Sequence, residues 1–290
     1  MTSRTATFLG FGAIVLWGLL ALFTTATVGI PPFQVTAITF AIGGVVGLCV
    51  LASRGQLALL VQPWPVMALG VGGLFGYHAL YFAALKLAPP AEANLVNYLW
   101  PLLIVLFSGL LPGERLRSNH IAGAMIGFAG IAVLAFTRGV TGLDAAYLPG
   151  YALALGCALV WSGYSVLSRR VASVPTEAVV GFCCVTALLA MLCHAMFEVT
   201  IQPSLSGWLA LAGLGIGPVG AAFFLWDIGM KRGDIRLLGA CSYAAPLIST
   251  LVLVATGAAP ATLVLALSCA LIVLGAIVAS WREIRPAFSR

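Results

Sequence analysis

The sequence predicts an all-α membrane protein with ten transmembrane helices in two inverted five-helix repeats. Three observations carry that prediction. Of 290 residues, 62% are hydrophobic and only 8% are charged, whereas a soluble chain carries about 25% charged residues. Apolar runs of about 20 residues, the length that crosses a bilayer, recur along the whole chain. The sequence also resembles itself after a shift of 144–145 residues. Such a composition excludes a cytosolic enzyme, a nucleic-acid binder and a disordered chain. The continuous apolar runs exclude a β-barrel, whose strands alternate polar and apolar residues.

The first span, Phe8–Thr25, follows Arg4 and would also suit a signal peptide. Its partner later in the chain argues for retention. Trp17 stands at its centre, too deep for an interfacial anchor, and its indole N–H needs a partner that lipid lacks. The second span, Phe33–Ala52, carries Gly43 and Gly47, a small-xxx-small pair that lets helices approach closely. The third, Val66–Leu87, holds Tyr77, His78 and Tyr81 near mid-membrane, with Gly72 and Gly76 before them. His78 is read either as a substrate partner that titrates near neutral pH or as a neutral histidine bonded to a neighbouring helix.

The fourth span, Ala91–Leu111, places Asn94, Asn97, Tyr98 and Pro101 at i, i+3, i+4 and i+7, on one helical face. Trp100 lies within the same turn. Pro101 kinks the helix and frees carbonyls upstream, which lipid tolerates only where they are buried or line a cavity. Helix–helix glue is the alternative reading. The fifth span, Asn119–Phe136, adds Gly123 and Gly127.

The sixth span, Gly150–Val171, repeats the first. The run Gly156–Ser162 resembles Gly12–Gly18, with Trp161 opposite Trp17, and Tyr164 follows one turn on. The seventh, Ala178–Phe197, contains three of the seven cysteines, all of which fall in apolar runs and read as small buried residues. The eighth, Gly207–Met230, contains Asp227, read as the lone carboxylate inside a span and paired with Lys231 at i, i+4 near the cytoplasmic end. The ninth, Ile235–Ala255, repeats the fourth: Gly239, Ser242, Tyr243 and Pro246 form the same stripe, and Lys86 falls opposite Lys231. The tenth, Thr262–Trp281, ends on a tryptophan that, like Trp64 and Trp208, suits an interface.

Loop charge sets orientation. Arg4, Arg54, Arg115, Arg117, Arg169, Arg170, Lys231, Arg232, Arg236, Arg282, Arg285 and Arg290 fall on one side, and only Lys86 and Arg138 on the other. Twelve against two predicts cytoplasmic termini. Residues 1–138 form the first repeat, 145–285 the second and 286–290 a cytoplasmic tail. An odd number of spans per repeat inverts the second relative to the first.

Ten spans, two repeats, the tryptophans at 17 and 161, the Tyr-x-x-Pro stripes and Pro101 followed by Gly113-Glu114-Arg115 resemble the drug/metabolite transporter superfamily of the EamA type. Within it the chain is most similar to bacterial aromatic amino acid exporters. The resemblance implies a multi-pass protein of the bacterial inner membrane that works by alternating access around a central cavity. The second repeat has Ala259 opposite Glu114, so a symmetric role for that glutamate is doubtful.

The expected function is therefore secondary export of amino acids, chiefly aromatic, and similar metabolites. The alternative is a multidrug or amphipathic-metabolite exporter. Substrate would meet Trp17, Tyr77, His78, Tyr81, Asn97, Tyr98, Trp100, Trp161, Tyr164, Ser242 and Tyr243, with helix kinks at Pro101 and Pro246. No catalytic residue, metal, cofactor, nucleic acid or ATPase subunit is expected, and the partners are a small-molecule substrate and the lipid bilayer. His78, His120 and His194 are assigned to three different depths, so they cannot share a metal. With no deep carboxylate, a downhill carrier, or one coupled through His78, fits better than a cation-driven pump.

Overall fold

A computed structural model of the protein describes residues 1–113, 115–136, 144–257 and 262–288. Glu114, Arg138, Ala259 and Arg290 lie outside the described residues. Fourteen α-helices follow one another among the described residues: α1 (Ser3–Gly18), α2 (Leu20–Thr24), α3 (Pro32–Ser53), α4 (Trp64–Leu87), α5 (Pro90–Asn97), α6 (Trp100–Ser108), α7 (Ser118–Phe136), α8 (Leu148–Ser168), α9 (Ala178–Phe197), α10 (Leu205–Ile216), α11 (Ala222–Arg232), α12 (Ile235–Cys241), α13 (Ala244–Ala255) and α14 (Leu263–Phe288). Among the described residues, eight helical segments are long and apolar enough to cross a membrane. Two shorter apolar stretches, Ser118–Val133 and Leu263–Ala279, lie in α7 and α14.

Several predicted spans are interrupted along their length. The first breaks at Leu19 between α1 and α2. The fourth breaks at Tyr98 and Leu99, just before Pro101 at the second position of α6, where its missing N–H costs no hydrogen bond. The ninth breaks at Ser242 and Tyr243, ahead of Pro246 in α13. The eighth carries a π-helical turn, Gly217–Ala221, between α10 and α11. Pro218 and three small residues permit this widened turn, of a kind that concentrates at functional positions.

Helix starts are capped by side chains. Thr2 accepts from the Thr5 N–H, Ser204 from Gly207, and Asp234 from both Arg236 and Leu237. The start of α3 follows Pro31, which has no side chain for the task, and is capped from elsewhere. The Glu198 carboxylate accepts the N–H groups of Phe33 and Gln34 at 3.0 and 3.1 Å. Gln34 in turn exchanges two hydrogen bonds with the Ile201 backbone. This ties α3 to the end of α9.

Packing follows the sequence repeat. α1 packs on α11 as α8 packs on α4, α1 on α13 as α8 on α6, and α10 on α3 as α4 on α9. α3–α9 and α7–α14 join equivalent helices of the two halves. Small residues set the closest crossings. A Cβ at Gly123 would come within 2.5 Å of the Gly275 carbonyl oxygen, so α7 and α14 meet backbone to backbone. Gly72, by contrast, meets open space and makes no such contact. The outer surface is apolar, with Phe8, Leu188, Leu192 and Leu209 exposed as a lipid-facing surface requires. Trp64, Trp208 and Trp281 are exposed as well.

Candidate functional site

A cavity of about 530 Å³ opens between the two halves, within the range of small-molecule sites. α1 and α2 supply Trp17, Leu20 and Thr24, and α3 supplies Val35, Thr36 and Thr39. α4 supplies Tyr77, His78, Tyr81 and Phe82, and the broken span α5–α6 supplies Asn94, Asn97, Tyr98 and Trp100. Trp161, Leu214, Pro218, Val219, Phe223, Ala245, Pro246 and Ser249 complete the lining. Trp100, Trp161 and Phe223 in this lining are at most 7% exposed, as are Thr36, Thr39 and Asn97.

The tryptophans meet as one cluster. Trp17 packs against Trp161 and Trp100 at ring separations of 5.6 and 6.3 Å, both edge to face. Trp226 lies 5.0 Å from Trp17 and stacks on Trp161. Such pairs contribute beyond the area they bury. The Trp17 indole N–H donates to the Pro218 carbonyl at 3.1 Å, inside the π-helical turn. The irregular turn thus supplies the partner that a deep indole needs. The Trp226 N–H donates to the Ser165 hydroxyl at 3.0 Å.

The polar wall is built from neutral groups. Tyr81 donates to the Asn94 side-chain oxygen at 2.6 Å, and the Asn97 amide donates to the Tyr77 hydroxyl at 3.0 Å. Asn97 is 3% exposed, and its Oδ1 has no hydrogen-bond partner among the described residues. An acceptor so buried is costly to leave unmet, which suits a ligand that donates to it. His78 Nδ1 lies 2.7 Å from the Leu74 carbonyl. A carbonyl only accepts, so Nδ1 carries a hydrogen and Nε2 is the ring's remaining nitrogen. The His78 ring is edge-on to Phe40. Among the described residues, no Asp, Glu, Lys or Arg lines the cavity.

Eight of the eleven predicted binding residues line this cavity: Trp17, Tyr77, His78, Tyr81, Asn97, Tyr98, Trp100 and Trp161. The other three do not. Tyr164 is buried against Gly73 and Trp161. Ser242 folds back on the Leu238 carbonyl at 2.6 Å. Tyr243 packs into a separate core with Ile131, Leu247, Leu265 and Ile272. The sequence stripe places equivalent residues on equivalent faces but does not say which repeat the cavity opens onto. Thr24, Thr36, Thr39, Pro218 and Phe223 were not anticipated; the threonines carried no periodic signal, and the π turn that exposes Pro218 has none in sequence.

Asp227 and Lys231 pair at 2.9 Å, as their spacing predicted, yet neither lies near solvent. Both are buried, so Lys231 is not a loop charge and does not count toward the orientation. Thr176 donates to the Asp227 carboxylate at 2.7 Å, and Lys231 donates to the Val174 carbonyl at 3.0 Å. These contacts satisfy both charges, as a buried pair requires. Arg169 donates to the Met230 and Gly233 carbonyls nearby. Asp227 is also not the only carboxylate in a span: Glu92 stands in the first turn of α5 and accepts from the Tyr151 hydroxyl. Among the described residues, no three His, Cys, Asp or Glu side chains converge as a metal site.

Known proteins are similar throughout. The EamA-like transporter family model matches twice, over residues 4–136 and 148–281. The aromatic amino acid exporter YddG of Ancylobacter novellus is 60% identical over 282 residues, covering 97% of this chain and 98% of its own. Exporters of the same name from Salmonella typhimurium and Escherichia coli K12 are 26% and 24% identical, each over 86% of this chain. A solved crystal structure superposes with a TM-score of 0.93 at 59% identity over 97% of this chain and 98% of that one. The chain belongs to the EamA-like transporter family.

Proposed function

We propose that the protein exports amino acids, chiefly aromatic ones, and similar metabolites as a secondary transporter. The observation that carries this reading is the cavity: rich in aromatic rings, lined by neutral hydrogen-bonding groups and, among the described residues, free of charged side chains. The aromatic rings of the lining receive a flat side chain by stacking and edge contact. Asn97 Oδ1 accepts from the substrate ammonium, while the Tyr77 hydroxyl, already an acceptor from Asn97, has its proton available for the carboxylate. The name of the 60% identical relative supports the same substrate class.

Transport on this reading is alternating access by two inverted five-span repeats, 1–138 and 145–285, with both termini cytoplasmic in the inner membrane. The two family matches and the exchange-symmetric packing support the repeats. With buried Lys231 set aside, eleven basic residues on the terminal side against Lys86 and Arg138 support the orientation. The test is uptake of labelled phenylalanine, tryptophan and threonine into proteoliposomes of the purified protein. Flux of the aromatic pair, with mutual competition, is the expected result. Absence of flux for every amino acid overturns the reading, and competition by amphipathic cations alone favours a multidrug carrier.

A further inference from the structure

Lys86 and Lys231 fall opposite each other in the two repeats but have unlike partners. Lys231 is buried, pairs with Asp227 one turn earlier and donates to the Val174 carbonyl. In the first repeat Phe82 stands where the second has Asp227. Lys86 is exposed in the last turn of α4, and among the described residues neither an ion pair nor a hydrogen bond engages its ammonium. The carboxylates at that end are already engaged. Glu198 caps α3 and meets His194, Glu92 accepts from Tyr151, and Asp144 accepts from the Ala146 N–H.

Phe75, Ala79, Phe82 and Lys86 recur at i, i+4, i+7 and i+11, one stripe along α4. The stripe turns toward α3. Phe33 stacks on Phe75 at a ring separation of 6.5 Å and meets Phe82 edge to face at 5.8 Å. Little else joins the two helices: α4 packs on α8 and α9, α3 packs on α9 and α10, and α3 and α4 barely meet. All three rings are half-buried, and Phe82 also lines the cavity. Gly72, one turn before Phe75 on the same stripe, is exposed, and a Cβ there would have no neighbour within 4 Å. The seam between α3 and α4 is thus a shallow groove floored by phenylalanine rings, with the cavity behind Phe82. From Phe75 to Lys86 the helix rises about 16 Å at 1.5 Å per residue, roughly half the thickness of the hydrocarbon core.

We propose that this groove binds one anionic phospholipid, its phosphate at Lys86 and one acyl chain along Phe75, Ala79 and Phe82 against Phe33. The stripe has the depth of one leaflet, sets a cation at one end and apolar rings below it, and leaves that cation without a partner in the chain. A lysine near a helix end extends its ammonium to the interface, where an anionic headgroup supplies the missing charge. The seated chain covers the outer edges of Phe33 and Phe82 and completes the wall between cavity and bilayer. The orientation proposed above makes this the outer leaflet; the site itself depends only on insertion in a membrane.

The experiment is photolabelling of the full chain in nanodiscs of phosphatidylcholine that contain a minor share of phosphatidylglycerol with a diazirine on its acyl chain. Adducts are mapped by mass spectrometry of the digested protein. They are expected on Phe33 and on α4 from Phe75 to Lys86. Lys86→Gln should lower them about fivefold relative to adducts on the other helices, the factor for one lysine at a membrane surface, and Lys86→Arg should retain them. Phosphatidylcholine carrying the same diazirine should label the stripe more weakly than phosphatidylglycerol, and inorganic phosphate should not compete. Equal labelling of wild type and Lys86→Gln, or equal labelling by the two lipids, overturns the site. Displacement by inorganic phosphate overturns it in favour of a free anion. A dimer in the native mass spectrum together with no adduct on the stripe assigns the face to a second copy and overturns it as well. None of these measurements uses transport, so their failure is distinct from failure of the flux test above.

Discussion

At the residue scale, Trp17 joins two functions in one side chain. Its ring touches Trp100, Trp161, Phe223 and Trp226, and its N–H ties α1 to the π-helical turn. These roles separate by substitution. Trp17→Phe keeps a ring but removes the indole donor to the Pro218 carbonyl, a loss of about 0.5–1.5 kcal/mol for one hydrogen bond. Trp17→Ala also removes the ring contacts, and large-to-small aromatic changes cost about 3–5 kcal/mol. Thermal unfolding in detergent should therefore rank wild type above Phe above Ala. Phenylalanine flux per inserted molecule should fall in the same order. Equal flux in all three would remove Trp17 from the substrate path. The deep tryptophan was legible because lipid offers an indole nothing to bond; its partner was not, because no local pattern marks a π turn. The same holds for Asp227 and Lys231, whose spacing announced the pair, while Thr176 and Val174, which complete it, come from a distant connection.

At the element scale, the apolar runs reveal almost every span, because a helix in lipid must satisfy its backbone internally. What they hide is where a span breaks. Pro101 and Pro246 announced two interruptions, and the structure has breaks just before each. The break at Leu19 has no proline beside it, and the turn at Gly217–Ala221 is tied across the halves to Trp17. The capping of α3 is equally non-local. Its first two free N–H groups bond to Glu198, which His194 holds in place with Nδ1 at 2.9 Å while its Nε2 contacts Thr200. A negative group at a helix N-terminus satisfies orphan donors and opposes the macrodipole. Glu198→Ala should thus destabilise the protein by about 0.5–2 kcal/mol, the range for a lost cap. Val35, Thr36 and Thr39 follow that cap directly into the cavity wall. Their displacement should raise the KM for phenylalanine more than it lowers the maximal rate. A thermal midpoint and KM both unchanged would show that the carboxylate does not organise α3.

At the scale of the whole molecule, charge is kept away from the cavity. Only 8% of the residues are charged. The Asp227–Lys231 pair and the Glu198 cap both lie outside the cavity lining. A carrier driven by protons or sodium needs a group that binds the cation and feels the substrate together. Among the lining side chains only His78 has an ordinary pKa near neutral pH. Its Nδ1 hydrogen is committed to the Leu74 carbonyl, so proton exchange is left to Nε2, on a ring packed edge-on against Phe40. That arrangement suits a fixed neutral ring that orients substrate better than a group that loads and releases a proton each cycle. The protein should therefore move phenylalanine down its own gradient. Imposing a pH or sodium gradient across proteoliposomes, or collapsing it with an ionophore, should leave the initial rate of uptake unchanged. His78→Gln, which keeps a donor and an acceptor but cannot titrate in this range, should retain flux and the same indifference to the gradient. Stimulation of the wild type by a proton gradient, abolished in His78→Gln, would reverse the conclusion and identify His78 as the coupling group.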